Sequence, residues 1–251
     1  MNILISESTT AMGGQELAVL LHAEGLQKRG HRVRLILEPG SPIHRLAEQK
    51  GLSVYPVAMA RVRYPSAILS FRRLLLTERP DILHVNSSRD SWIGGIASRL
   101  VPSRPGVVRT RHISTPLNKS VTTRFLYQRL IDSVIVTRDE TTRQTMIDRD
   151  GLAPDRVDAF PIGIDTTVFY PGKPSRDFRA ELGVPPTTLI VGMVSFLRSY
   201  KGHPYVIEAA KHILSTRNDV LFVIVGEGPD KDAIQALIDA QGVGDRVKLL
   251  G

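Results

Sequence analysis

The sequence predicts an α/β protein with two parallel-sheet domains, and three observations carry that prediction. Short β-branched apolar runs alternate along the chain with segments whose apolar residues recur at helical spacing. The first strand, a glycine-containing loop and a helix lead straight into a second strand, a βαβ unit that calls for a parallel sheet with right-handed crossovers. The rhythm breaks once, at the proline- and glycine-rich stretch 161–174, and then restarts. At 251 residues the chain exceeds the usual size of one hydrophobic core. The expected division is a first domain over 1–160, an ordered crossing over 161–174 and a second domain over 175–251.

Asn2 to Ser6 supplies a buried first strand, followed by Thr9-Thr-Ala-Met-Gly-Gly-Gln-Glu16. Leu17, Leu20, Leu21 and Leu26 place a helix over 15–29, with Gly30 as its C-terminal cap. A second strand over 32–37 closes the unit. The alternation continues with a helix over 42–50, a strand over 52–57, a helix over 65–77 and a strand over 82–85, which holds His84 and ends in Asn86-Ser-Ser88. A helix over 91–100 precedes a strand over 106–110 that ends at Arg111 and His112. A basic helix over 119–130, a strand over 133–137, a helix over 140–148 and a strand over 157–160 complete the first series.

Proline and glycine forbid a regular element over 161–174, while Ile162, Ile164, Val168 and Phe169 are too apolar for a disordered tether. Beyond it come a short helix over 176–182, a buried strand over 188–194, a helix over 203–214 and a strand over 220–225. The tight loop Gly226-Glu-Gly-Pro229, a helix over 231–240 and a strand over 247–250 follow. A second sheet of three core strands without a closing helix implies a truncated piece of a longer protein, or one that another chain completes.

The strand tips carry the candidate chemistry, because ligands of open α/β sheets sit beyond the carboxyl ends of the strands. Gly13-Gly14 lets backbone approach a ligand closely, but the G-x-G-x-x-G fingerprint of dinucleotide enzymes is missing. Asn86, Ser87, Arg111 and His112 stand at two further strand ends. Leu189 to Gly202 is a strand, a loop with Arg198 and Lys201, and a helix start. This suits a phosphate, although an ordinary βα turn with solvated cations has the same pattern. Asp148-Arg-Asp150 matches the D-x-D triplet that holds metal in some sugar transferases, but a helix C-terminal cap before Gly151 and solvated charges explain it without one.

With 33 Lys and Arg against 25 Asp and Glu the formal charge is +8, which favours an anionic partner: nucleic acid, anionic lipid or a phosphorylated small molecule. No nucleic-acid recognition motif appears. Cations interleave with apolar residues in Arg61-Val-Arg-Tyr64 and Phe71-Arg-Arg-Leu-Leu-Leu76, as on a helix that meets anionic lipid or on a half-buried helix with solvated arginines. The absence of cysteine excludes disulfides and thiolate chemistry. No leader or membrane-span pattern is present, so the chain is expected in the cytoplasm.

Pro161-Ile-Gly-Ile-Asp-Thr-Thr-Val-Phe-Tyr-Pro171, Val223-Ile-Val-Gly-Glu-Gly-Pro229 followed by Asp245-Arg-Val-Lys-Leu-Leu-Gly251, and Gly13-Gly14-Gln-Glu16 together resemble the family 4 glycosyltransferases. The resemblance runs along nearly the whole chain. It implies the GT-B fold, two Rossmann-like domains facing across a cleft, with the second domain holding most of the donor and the first the acceptor. It also implies transfer of a sugar from a nucleotide-diphosphate donor to an acceptor hydroxyl with retention of configuration, no cofactor and no metal.

By the same resemblance, Lys201 matches the family lysine that neutralises the departing diphosphate, and His112 the histidine beside the reacting sugar. Gly13 and Gly14 would meet the donor through backbone, and Gly226 and Glu227 would lie under the nucleoside. Asn86, Ser87 and Arg111 fall with His112 on the acceptor side. Phe196-Leu197 stands where the family has arginine and leucine, which makes Arg198 the candidate for the missing cation. The family's glutamate pair would lie beyond Gly251. A lipid-linked or lipopolysaccharide-type acceptor at the inner membrane face fits the basic helices. The competing readings are a GT-B nucleotide-sugar epimerase and a two-lobed ligand-binding protein without catalysis.

Overall fold

Ile3, Leu4 and Ile5 are buried in β1 (Asn2–Glu7), the strand about which the first sheet is laid out. The computed structural model describes residues 1–113, 115–172 and 176–251, with the side chain of Ser199 excepted. Ser114 lies outside the described residues, as do Lys173 and Pro174 of the expected crossing and Ser175 at the expected start of the second domain. The chain divides into two units, Met1–Asp165 and Thr166–Gly251.

In the first unit β2 (Arg32–Leu37) and β3 (Val54–Pro56) lie to one side of β1. β4 (Ile82–Val85), β5 (Gly106–Arg111), β6 (Ser133–Val136) and β7 (Val157–Ala159) lie to the other. The order is β3-β2-β1-β4-β5-β6-β7, and every pairing is parallel. α1 (Gly14–Lys28) and α2 (Pro42–Gln49) pack Val19, Leu20, Ala23 and Ile43 against Ile3, Ile5 and Val33. Side chains alternate across a strand, so Leu4, Leu83 and Val107 face the other way. There they meet α3 (Tyr64–Glu78), α4 (Ser88–Arg99), the turn Leu126–Leu130 that follows α5 (Val121–Phe125), and α6 (Glu140–Asp148).

Four expectations need correction. α4 starts at Ser88, three residues early, because the Asp90 carboxylate reaches back to accept the N–H groups of Ser87 at 2.8 Å and Asn86 at 3.0 Å. Leu17 points to solvent; Ala18 and Val19 take its place on the packed side of α1. The basic helix begins at Val121, where the Ser120 hydroxyl accepts the Thr123 N–H, and widens into a π turn over Leu126–Leu130. Asp150 is no solvated charge: its carboxylate accepts the Leu117 N–H at 3.1 Å, and its side chain is 2% exposed.

The second unit is a three-stranded parallel sheet in the order β10 (Val247–Leu249), β9 (Val220–Val225), β8 (Leu189–Val194). α7 (Phe178–Glu181) precedes it. α8 (His203–Leu214) and α9 (Lys231–Ala240) cover its core of Leu197, Ile207, Phe222, Ile224, Ile234 and Ile238. β8 corrects a fifth expectation. It pairs with β9 alone, and Leu189, Val191 and Val194 are 48%, 43% and 83% exposed. Apolar composition reports that a strand can be buried, whereas burial itself depends on neighbours on both sides.

Candidate functional site

The strand order reverses between β1 and β4, the switch point at which open α/β sheets take ligands. Ser6 pairs with Val85, which brings Glu7 beside Asn86 and Ser87. Glu7 is fully buried and its carboxylate is well supplied with donors. One oxygen accepts the Thr9 N–H at 2.9 Å, the Thr9 hydroxyl at 2.7 Å and the Ser87 hydroxyl; the other accepts Gln15 Nε2 at 2.5 Å. These bonds tie the glycine loop and the start of α1 to the end of β4. A Cβ on Gly14 would meet nothing within 4 Å, so a ligand has room to approach that backbone.

His112 follows β5 and turns to the same corner. Asn86 donates Nδ2–H to the Ser6 carbonyl at 3.1 Å, which orients its amide so that Oδ1 accepts from His112 Nε2 at 3.2 Å. The proton therefore sits on Nε2, and the buried Nδ1 keeps a lone pair that no described group uses. Burial, reinforced by His22 and partly opposed by Glu7, lowers the His112 pKa to about 4. The imidazole beside the switch point is therefore neutral, fixed by Asn86 through Nε2.

Behind it, His84 stacks on His22 with ring centroids 6.5 Å apart and hydrogen-bonds Thr110 at 2.6 Å. Burial first, then the two neighbouring histidines, lowers its pKa to about 3. In both His84 and His112 the folded protein resists a proton that the unfolded chain accepts near pH 6.5. Stability from these groups is complete above about pH 6.5 and is lost as pH falls from there toward about 4. Any decline of the denaturant midpoint from pH 7.5 to 5 is expected to be shallower in His84→Asn than in the wild type, a comparison in which the opposite contribution of Asp90, whose buried carboxyl gains stability as pH falls, is common to both. An unchanged slope would remove His84 as its source.

Arg111 does not join the Asn86–His112 pair. It is 8% exposed, donates to the Tyr127 hydroxyl at 3.1 Å and also to the Thr115 carbonyl. Arg109, two residues earlier, lies over the Tyr127 ring at 4.8 Å, within reach of the Ser88 hydroxyl at 3.5 Å. Asp90 lies within electrostatic reach of Arg109 and Glu7, and its pKa is raised well above the usual carboxylate value by burial and then by Glu7.

In the second unit, β8 ends in the Ser195–Arg198 loop, a 3₁₀ turn over Ser199–Lys201 and Gly202, which opens α8. Arg198 lies over the Phe196 ring and Lys201 over the Tyr200 ring, each at 5.3 Å. Both cations are exposed, and among the described residues neither has a hydrogen bond or a carboxylate partner. His203 is buried, with Nε2 2.9 Å from the Ser195 hydroxyl. The Gly226–Pro229 loop is laced to this one through Ser195 N–H to Val225 O at 3.0 Å, Leu197 N–H to Glu227 O at 2.9 Å and Asp230 N–H to Leu197 O at 3.2 Å. Glu227 faces Lys231 at 3.0 Å. Two free cations at a helix N-terminus are an anion trap.

Residues 12–168 match the sequence profile of Glycosyltransferase Family 4, and residues 174–251 that of Glycosyl transferases group 1. The chain belongs to glycosyltransferase family 4. As a family 4 chain it is 26% identical to an Escherichia coli UDP-Gal:alpha-D-GlcNAc-diphosphoundecaprenol alpha-1,3-galactosyltransferase, over 86% of this chain and 59% of that protein. It is 34% identical to a D-inositol 3-phosphate glycosyltransferase of Acidothermus cellulolyticus over 45% of this chain and 27% of that protein. It therefore spans well under two thirds of either relative. The structure of Anabaena HepE in complex with UDP and glucose matches with a TM-score of 0.79 at 22% identity, over 100% of this chain and 69% of that one. The fold is thus GT-B, two Rossmann-like parallel-sheet domains of which the second, as seen here, is the smaller.

Proposed function

We propose that this family 4 chain acts in transfer of a sugar, with retention, from a nucleotide-diphosphate donor to an acceptor hydroxyl. The observation that carries the reading is the pair of unpartnered cations, Lys201 and Arg198, at the start of α8. As the bond from the anomeric carbon to the diphosphate breaks, negative charge gathers on the leaving oxygen, and fixed cations aimed there lower the barrier. That oxygen takes the proton of the acceptor hydroxyl, whose oxygen bonds the anomeric carbon on the face the diphosphate leaves.

Gly13 and Gly14 offer backbone to the donor, and His112 stands beside the reacting sugar. Gly226 and Glu227 lie under the nucleoside. Asn86 and Ser87 belong to the acceptor side; Arg111, tied to Tyr127, adds positive potential there without a free donor fork. No metal or cofactor enters the scheme. A uridine donor is supported by HepE, whose structures contain UDP and UDP-glucose. Calorimetric titration with UDP and UDP-glucose is expected to give saturable binding. Duplex DNA binding that falls steeply with salt, without any nucleotide binding, would overturn the reading.

A lipid-linked acceptor for cell-envelope glycan, handled at the inner face of a membrane, is supported by the E. coli relative, named for a diphosphoundecaprenol acceptor. No helix among the described residues is long and apolar enough to cross a membrane. α3 buries Ala67, Phe71 and Leu75 but exposes Leu69, Leu76, Arg72 and Arg73, beside exposed Val62. Such a face suits shallow contact with anionic lipid. In flotation with phosphatidylglycerol vesicles, Arg72→Glu/Arg73→Glu is expected to lose most of the bound fraction. Equal flotation would leave α3 as an ordinary surface helix.

A further inference from the structure

Beside the end of β4 lies a cavity of about 490 Å³ lined by Arg61, Tyr64, Ser88, Arg89 and Trp92. Its walls come from the turn that opens α3 and from the first turns of α4. The guanidinium groups of Arg61 and Arg89 make no hydrogen bond or ion pair with the described residues, and no carboxylate lines the cavity. Arg109 stands behind Ser88: it is 7% exposed, its Nε has no partner, and one Nη lies 3.5 Å from the Ser88 hydroxyl. Two free guanidinium forks, a third buried behind them and a hydroxyl form a site for a tetrahedral anion. The aromatic wall requires more than an anion. Tyr64 and Trp92 are both half-buried, and Trp92 is held by stacking on Phe125 with centroids 6.4 Å apart and planes 15° from parallel. Such a fixed ring suits the flat C–H face of a sugar.

We propose that this cavity binds an acceptor that is a glycosyl phosphate, with the phosphate, or the first phosphate of a diphosphate, on Arg61, Arg89 and Ser88 and the sugar against Trp92 and Tyr64. The proposal rests on the first unit being the acceptor side and names the chemical class of that acceptor. Ser88 of the lining directly follows Asn86 and Ser87 at the end of β4, so a saccharide held by its phosphate there can extend toward Asn86 and His112. Glycosyl phosphate recognition in this pocket would select acceptors by their anionic end as well as by their sugar.

Binding of α-glucose 1-phosphate, methyl α-glucoside and inorganic phosphate to the full-length protein is followed by ligand-detected NMR. Glucose 1-phosphate is expected to bind at least about tenfold more tightly than either of the others. Arg61→Gln/Arg89→Gln is expected to remove that advantage, and Trp92→Ala to reduce glucose 1-phosphate to the level of inorganic phosphate. Because both arginines lack partners, the double variant should keep the wild-type unfolding transition; if it does not, Arg61→Gln alone, at an exposed position, carries the test. Equal binding of methyl glucoside, equal binding of inorganic phosphate, or undiminished binding by the arginine variant would overturn the proposal. So would loss of phosphatidylglycerol vesicle binding by that variant with glucose 1-phosphate binding intact, which would make the arginines a lipid contact. UDP binding is measured in parallel: its failure in the wild type sinks the transferase reading, whereas its persistence in the arginine variant confines the defect to the acceptor pocket.

Discussion

Lys201→Ala is expected to lower sugar transfer by roughly 10²–10³-fold, the usual effect of removing one fixed donor from a site where transition-state charge develops. Stability should barely move, within about 0.5 kcal/mol, because Lys201 is exposed and its one described contact, the exposed Tyr200 ring, leaves no buried polar group unpaired. The two effects are separable by a thermal melt and a single-turnover assay with UDP-glucose. Lys201→Arg should recover only part of the rate, since a planar fork on a longer reach does not place its charge where an ammonium did. Arg198→Ala tests the neighbouring cation: if Arg198 substitutes for the charge that Phe196 does not supply, its loss also slows transfer. Turnover unchanged in Lys201→Ala would remove that residue from the mechanism.

How far this site could be read in advance follows from what each residue depends on. The strands Arg32–Leu37, Ile82–Val85 and Val220–Val225 and the helices Glu140–Asp148, His203–Leu214 and Lys231–Ala240 are set by local periodicity and end signals, and they form over the expected residues. The early start of α4 was in principle legible as Ser87 followed three residues later by Asp90. The π turn over Leu126–Leu130 was not, because one wide turn leaves the apolar spacing almost unchanged.

The chemistry that sequence reading missed depends on register between distant strands. Glu7 is a single acidic residue after an apolar run until Ser6 pairs with Val85 and delivers Ser87 to its carboxylate, 80 residues away in the chain. Likewise Val85 pairs with Arg109, which carries Asn86 and the end of β5 forward together until His112 can bond the Asn86 amide. A strand-end histidine was visible as a candidate. That it is neutral, with Nδ1 as the free acceptor, follows only from that bond and from burial. Arg111 illustrates the opposite case, a strand-end cation that turns inward to Tyr127.

Gly226→Ala is expected to be among the most damaging single changes in the second unit, and the reason lies in how the two loops meet. Gly226 has φ +144, a backbone region that L side chains avoid, and a Cβ built there would overlap the Ser195 carbonyl oxygen. Backbone cannot yield as a flexible side-chain tip can, and the two carbonyls that follow Ser195 are already engaged, Phe196 O by the Arg198 N–H and Leu197 O by the Asp230 N–H. Strained dihedrals and overpacking each cost about 1–3 kcal/mol, so the combined loss should be about 3 kcal/mol or more. Gly228→Ala meets the same obstacle two residues on, with its Cβ 2.7 Å from Leu197 N. Equilibrium unfolding of the second unit should register both losses. The functional consequence travels by the same contacts: a displaced Ser195–Leu197 segment moves Arg198 and the start of α8, so any variant that folds should bind UDP weakly even though no ligand-facing side chain has changed. Tight UDP binding by a destabilised Gly226→Ala would show that the loop pair supports the fold without positioning the cations.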